Sequence, residues 1–118
     1  MICMESYWID NIYNLIRDFS NIDDQRKNWL GLNPNKVSSY YEDINMLDDN
    51  CFDDFIAEWR NKNMDKKTLK EMARFRKILN SYEDNIHQKE WGDEKVLDDP
   101  NWIRVVMQAK KTIDVWKV

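Results

Sequence analysis

Only four residues in the chain, Gly31, Gly92, Pro34 and Pro100, are natural breakers of regular backbone. A many-stranded sheet needs glycine-rich hairpins between its strands, so this scarcity favours helices joined by polar turns. The apolar residues agree. Trp8, Ile9, Ile12, Leu15, Ile16 and Phe19 recur at three- and four-residue intervals, the mark of one buried face on a helix from about Ser6 to Asp18.

The same reading places a short helix after Asn21, with Asp23 and Asp24 in its first turn, Trp29 and Leu30 inward, and Gly31 as its stop. Ser38 or Ser39 caps a helix through Tyr40, Tyr41, Ile44 and Leu47. Asn50 and Asp53 have the spacing of a capping box for one carrying Phe52, Phe55, Ile56 and Trp59. Asp65 opens a long helix whose buried stripe is Leu69, Met72, Phe75, Leu79, Tyr82 and Ile86. Asp99 before Pro100 is a strong start signal for a last helix with Trp102, Val105, Val106, Ala109, Ile113 and Trp116 inside. Between them, Val96 and Leu97 anchor a loop. The expectation is an all-α fold, an irregular bundle of about five or six helices forming a single helical domain over residues 1–118. A short extended segment near residues 32–41 is the alternative for the weakest stretch.

With 118 residues and 42% apolar content, one compact core needs no cofactor to form. Fifteen aromatic residues, each able to bury about 150–250 Å², supply much of it. Consecutive positions on a helix cannot both face the core, so of Tyr40 and Tyr41 one is expected outside. Cys3 and Cys51 are too few for a disulfide framework and have no metal-ligand spacing; either would serve as a small apolar filler. No apolar run approaches the roughly 20 residues that span a bilayer. The start Met1-Ile-Cys-Met-Glu has neither the basic residues nor the continuous apolar segment of a secretory signal. A cytoplasmic protein is expected.

The net charge of −4 hides segregation. Residues 42–58 hold Glu42, Asp43, Asp48, Asp49, Asp53, Asp54 and Glu58 with no lysine or arginine, and residues 83–99 hold seven more carboxylates. Between them, residues 60–77 carry a local charge of +6. A basic run of this kind suggests nucleic acid, but pairing with the preceding acidic stretch accounts for it equally well, and nearby carboxylates raise the cost of approaching phosphate. No direct nucleic-acid contact is expected. The pairs Asp48/Asp49, Asp53/Asp54 and Asp98/Asp99 invite a metal or acid–base site, yet adjacent side chains on a helix do not share a face. His87, the sole histidine, has no nucleophile motif beside it. No catalytic, cofactor or metal site is expected.

The segments "YWIDNIYNLIRDF", "YYEDINMLDDNCFDDFIAEW" and "LDDPNWIRVVMQAKKTIDVW" together resemble small bacterial immunity proteins of contact-dependent growth inhibition and related polymorphic-toxin systems. The resemblance implies a cytosolic, non-enzymatic inhibitor that binds one cognate toxin, often a nuclease, and covers its active or substrate-binding face. The charge pattern gives that expectation a surface: Tyr41, Asp48, Asp49, Asp53, Asp54 and Glu58 as candidates for contact with a basic partner. Carboxylates steer the encounter and an aromatic residue supplies desolvated contact. A helical adaptor for another basic partner, and more remotely a small enzyme using His87 and carboxylates, are the other readings.

Overall fold

The computed structural model describes residues 5–118, in which seven helices follow one another: α1 (Ser6–Phe19), α2 (Ile22–Trp29), α3 (Tyr40–Asp49), α4 (Phe52–Asn61), α5 (Lys66–Ile86), α6 (Asp93–Leu97) and α7 (Pro100–Val115). No strand occurs among the described residues, so the fold is an irregular all-α bundle. Cys3 lies outside those residues. The stretch that allowed an extended segment is a loop closed onto the end of α2: the Leu32 and Asn33 amides donate to the Lys27 carbonyl, and Ser38 N–H donates to Asn28 O. Its backbone groups are thereby used locally and pair with no neighbouring strand.

The caps explain where the helices begin and end. Asn21, Ser39 and Asp65 each accept a backbone N–H three residues on, from Asp24, Glu42 and Thr68. Asp99 accepts from Asn101 N–H at 3.0 Å ahead of Pro100. Gly31 ends α2 at a φ of +73°. Leu30, expected inside, is exposed because it is already past the last turn of α2. With so few glycines, two other reversals fall on residues with side chains, Cys51 at φ 58° and Asn63 at φ 55°.

Cys51 overturns the Asn50–Asp53 capping box. The chain turns between α3 and α4 through the left-handed Cys51, which caps α4 with no side-chain bond. Asn50 belongs to the end of α3 instead, its Nδ2 donating to Met46 O at 2.7 Å. Cys51 is also exposed, not an apolar filler, its Sγ lying 4.0 Å from Asp49 O in the last turn of α3. A further difference is α6: the loop expected around Val96 and Leu97 coils into a short helix that buries both.

The core is a continuous cluster to which every helix contributes. α5 and α7 lie antiparallel along it, in a register marked by polar bonds: Gln108 Nε2 and Thr112 Oγ1 donate to Glu71 O, and Thr68 Oγ1 donates to Val115 O, each at 3.1 Å. Thr68 and Glu71 are therefore buried beside Met72 and Phe75, while Leu69 is only half-buried at the edge. The indoles act as struts between distant segments. Trp8 Nε1 donates to Asn50 O at 2.8 Å, Trp29 Nε1 to Asp43 Oδ2 at 2.8 Å, Trp59 Nε1 to Asp65 O at 2.9 Å and Trp102 Nε1 to Gln25 Oε1 at 2.9 Å. Trp59 and Trp102 are wholly buried, whereas Trp8 and Trp116 pack against the cluster from its edge.

Candidate partner-binding face

Helices α3 and α4 meet at Cys51, and this elbow puts the end of one helix and the start of the next on the flank of α5. Asp53 and Asp54 occupy the first turn of α4, where the exposed amides favour negative charge. Asp48 and Asp49 occupy the last turn of α3, which contains no basic residue. A carboxylate there opposes the helix dipole at a cost of about 0.3–1 kcal/mol. Helix formation therefore accounts for Asp53 and Asp54, and it leaves Asp48 and Asp49 to be explained by something outside their own helix.

Arg76 explains one of them. It projects from α5 with its side chain only 15% exposed, and its Nη2 donates to Asp48 Oδ1 at 3.1 Å. The same guanidinium forks onto Asp53, with Nε at 2.9 Å from Oδ1 and Nη2 at 3.3 Å from Oδ2. Its Cζ lies 5.7 Å from the centre of the Phe52 ring. One cation thus sits over an aromatic ring and ties α3, α4 and α5 together. Asp49 has no such partner: its carboxylate makes no hydrogen bond or ion pair with any described residue, and it is exposed.

On the other side of Asp48, α3 and α5 enclose a cleft of about 250 Å³ lined by Tyr40, Tyr41, Asn45, Asp48, Glu83 and His87 among others. Tyr41, Asn45 and Asp48 follow at i, i+4 and i+7, one outward stripe of α3. Glu42, Met46 and Asp49 form the adjacent stripe, all exposed. Burial, followed by the nearby Asp48 charge, pushes the Glu83 carboxyl above its usual range, and Arg76 offsets only part of this. Tyr40 is buried, and its hydroxyl finds no hydrogen-bond partner among the described residues. Burial and the neighbouring Glu83 raise its pKa well above that of a free phenol.

The six residues singled out from the sequence therefore divide. Tyr41, 57% exposed, stands at the cleft mouth with its ring edge-on to Tyr40 at 5.1 Å. Asp48 and Asp53 converge on Arg76, and Asp54 lies beside them against the cleft around Cys51 and Phe52. Asp49 is on the neighbouring outward stripe. Glu58 lines neither cleft; it lies along α4 with Lys62 Nζ at 3.7 Å. Glu83 and Arg76 were not singled out as site residues, although their i, i+7 spacing places both on one flank of the buried stripe of α5.

The second acidic stretch meets the first only in part. Glu83 joins Asp48 in the cleft, while Asp93 accepts Tyr40 N–H at the start of α3, Asp98 pairs with Arg26 and Asp99 caps α7. Of the basic run, Arg76 and Lys62 reach back to the acidic helices, Arg74 pairs with Glu71, and Lys66, Lys67 and Lys70 are exposed. No group of three or more His, Cys, Asp or Glu side chains among the described residues is arranged to hold a metal ion. No helix among them is long and apolar enough to cross a membrane. Comparison with known proteins returns no protein-family model, no curated protein and no solved structure that matches this chain.

Proposed function

We propose that this protein is the immunity partner of a basic bacterial toxin, a nuclease, and that it works by covering the toxin's active or substrate-binding face with the α3–α4 elbow and the adjoining flank of α5. The observation that carries the reading is Asp49. An exposed carboxylate at the negative end of a helix, with no internal partner, disfavours the folded chain slightly and is best accounted for by a charge supplied from outside. Around it the elements of a docking surface are together. Tyr41 and Met46 offer apolar area, and Glu42, Asp54 and Glu83 extend the negative field. Such a field speeds the encounter with a basic partner and disfavours acidic ones, while the aromatic anchor slows release. The protein acts in the cytoplasm, as an inhibitor and not as an enzyme.

One observation favours a second reading, a small acid–base enzyme: His87 lines the same cleft as Glu83 and Asp48. It is the weaker reading, because no hydrogen bond orients the imidazole toward either carboxylate and no nucleophile motif stands in the chain. The decisive experiment is coexpression with each protein encoded immediately beside this one, followed by affinity capture and a growth-protection assay. Selective rescue from a toxic neighbour is the expected result. A stable complex that gives no protection would identify an adaptor for a basic partner, and loss of a catalytic signal in His87→Ala would identify an enzyme; either overturns the immunity reading.

A further inference from the structure

Resting on the reading above and deepening it, we propose that the cleft between α3 and α5 seats one arginine side chain of the basic partner, its guanidinium between Asp48 and Glu83 and its plane against Tyr41. The chain contains its own template for this chemistry. Two helical turns before Glu83 on α5, Arg76 lies over Phe52 and is gripped by Asp53 and by Asp48 Oδ1. The cleft repeats the same set of groups, an aromatic ring and two carboxylates from separate helices. Asp48 belongs to both sets, and its Oδ2 has no partner among the described residues.

The cleft also holds an unsatisfied buried group. Tyr40 is 2% exposed, lines the cleft, and its hydroxyl makes no hydrogen bond with any described residue. A buried hydroxyl without a partner is costly, and a guanidinium N–H would satisfy its acceptor lone pair. Asn45, exposed on the same stripe as Tyr41, offers a side-chain carbonyl at the rim. Burial, and after it repulsion from Asp48, make the ionised Glu83 carboxylate unfavourable in the free chain, and a cation placed between the two carboxylates relieves that repulsion. Arginine fits better than lysine on two counts. Its planar fork spans two carboxylates, and its face stacks on an aromatic ring. Neither acidity alone nor the aromatic alone would distinguish this cleft; their junction with the unpartnered Tyr40 hydroxyl does.

The test is an amide-resolved NMR titration of the full chain with the peptide acetyl-Gly-Arg-Gly-amide, using acetyl-Gly-Gly-Gly-amide as the control. Expected are saturable shifts centred on Tyr41, Asn45, Asp48 and Glu83, weakened about tenfold in Glu83→Gln, as the loss of a charge-assisted hydrogen bond implies. Tyr41→Ala should weaken binding as well, and Asp23→Asn, exposed on α2 outside the proposed face, should leave it unchanged. Spectral dispersion in each variant reports that it is folded. Shifts that never saturate, that fall elsewhere, or that persist undiminished in Glu83→Gln overturn the assignment. The two readings fail differently: rescue in the growth assay without arginine-peptide binding removes the seat and leaves immunity standing. Peptide binding in a chain that protects from no toxin removes immunity and leaves the seat.

Discussion

Arg76 and Asp53 are joined by two near-parallel bonds between α5 and α4, and the same guanidinium reaches Asp48 on α3. The elbow that carries the acidic face is thus held to the bundle by a cation that neutralises part of that face. Asp53 is 73% exposed, so solvent screens the pair and its contribution is smaller than its geometry suggests. Arg76→Gln should lower stability by about 1 kcal/mol, partly through lost packing on Phe52. Denaturant midpoints at low and at molar salt test this, with the difference from the parent chain narrowing as salt screens the pair. A salt-independent loss would assign the effect to packing alone.

Glu83 makes a prediction about pH. Its carboxyl is raised chiefly by burial and next by Asp48, so the folded chain holds a proton that the unfolded chain releases more readily. Stability is therefore greatest below the unfolded value and declines as pH rises through the raised folded value. Glu83→Gln removes the ionised group and should melt higher than the parent at pH 7, by about 1–3 °C, with the advantage gone near pH 4. Equal melting temperatures at pH 7 would contradict it. Weaker arginine-peptide binding by a more stable variant is the trade-off expected of a group kept for binding.

The left-handed turn at Cys51 predicts an order among substitutions. A side chain at positive φ costs about 1–2 kcal/mol, least for glycine and asparagine and most when branched at Cβ. Cys51→Gly should be neutral or slightly stabilising, and Cys51→Val should be destabilised relative to it by about 1–3 kcal/mol. Chemical denaturation of the two variants decides. If valine is tolerated as well as glycine, the α3–α4 elbow does not hold this geometry in solution.

In the core, Trp102→Phe keeps most of the ring and deletes the indole N–H that Gln25 Oε1 accepts at 2.9 Å. Gln25 is pinned by its amide to Asp18 O and Phe19 O, so it cannot turn to find another donor without breaking those bonds. A loss of about 2–4 kcal/mol is expected from the stranded acceptor together with the reduced volume. A loss below 1 kcal/mol would show that Gln25 finds an alternative partner.

On the face itself, the pair Asp49→Asn and Asp54→Asn removes two exposed carboxylates that have no ion-pair partner among the described residues. Melting should be unchanged or slightly improved at position 49, since Asn relieves a charge at the negative helix end. Association with the captured partner should slow by about tenfold at low salt, with dissociation less affected. Tyr41→Ala should do the opposite, speeding dissociation with little effect on association. Unchanged rates in both variants would place the interface elsewhere on the bundle.

Most of the fold is local and was readable in advance. Asn21, Ser39, Asp65 and Asp99 cap because a short polar side chain reaches amides two or three residues away, and the apolar stripes of α1, α5 and α7 follow from helical spacing alone. Such short-range physics leaves its mark in consecutive residues. That one of Tyr40 and Tyr41 lies outside belongs in the same class, because neighbours on a helix differ by about 100° and only one can face the core; that it is Tyr41 was decided by the packing of α3. Even the shortage of glycine and proline foretold helices, although it did not say which residues would take over the turns; Cys51 and Asn63 did.

The acidic face divided along a different line. That residues 42–58 are acidic is composition, but which carboxylates are available to a partner depends on Arg76, 23 residues beyond Asp53. Glu58 lies apart from the cleft, beside Lys62 at the C-cap of α4, and Glu83 reaches Asp48 from a second acidic stretch whose proximity to the first sequence separation could not settle. Those outcomes turn on how α5 lies against α3 and α4, a packing set by the shared core around Phe52 and Phe75 and not by any residue's near neighbours. Periodicity places a side chain on a face of its own helix; bringing Asp48, Glu83 and Tyr41 to one cleft requires two helices to dock, and docking is a property of the whole buried surface.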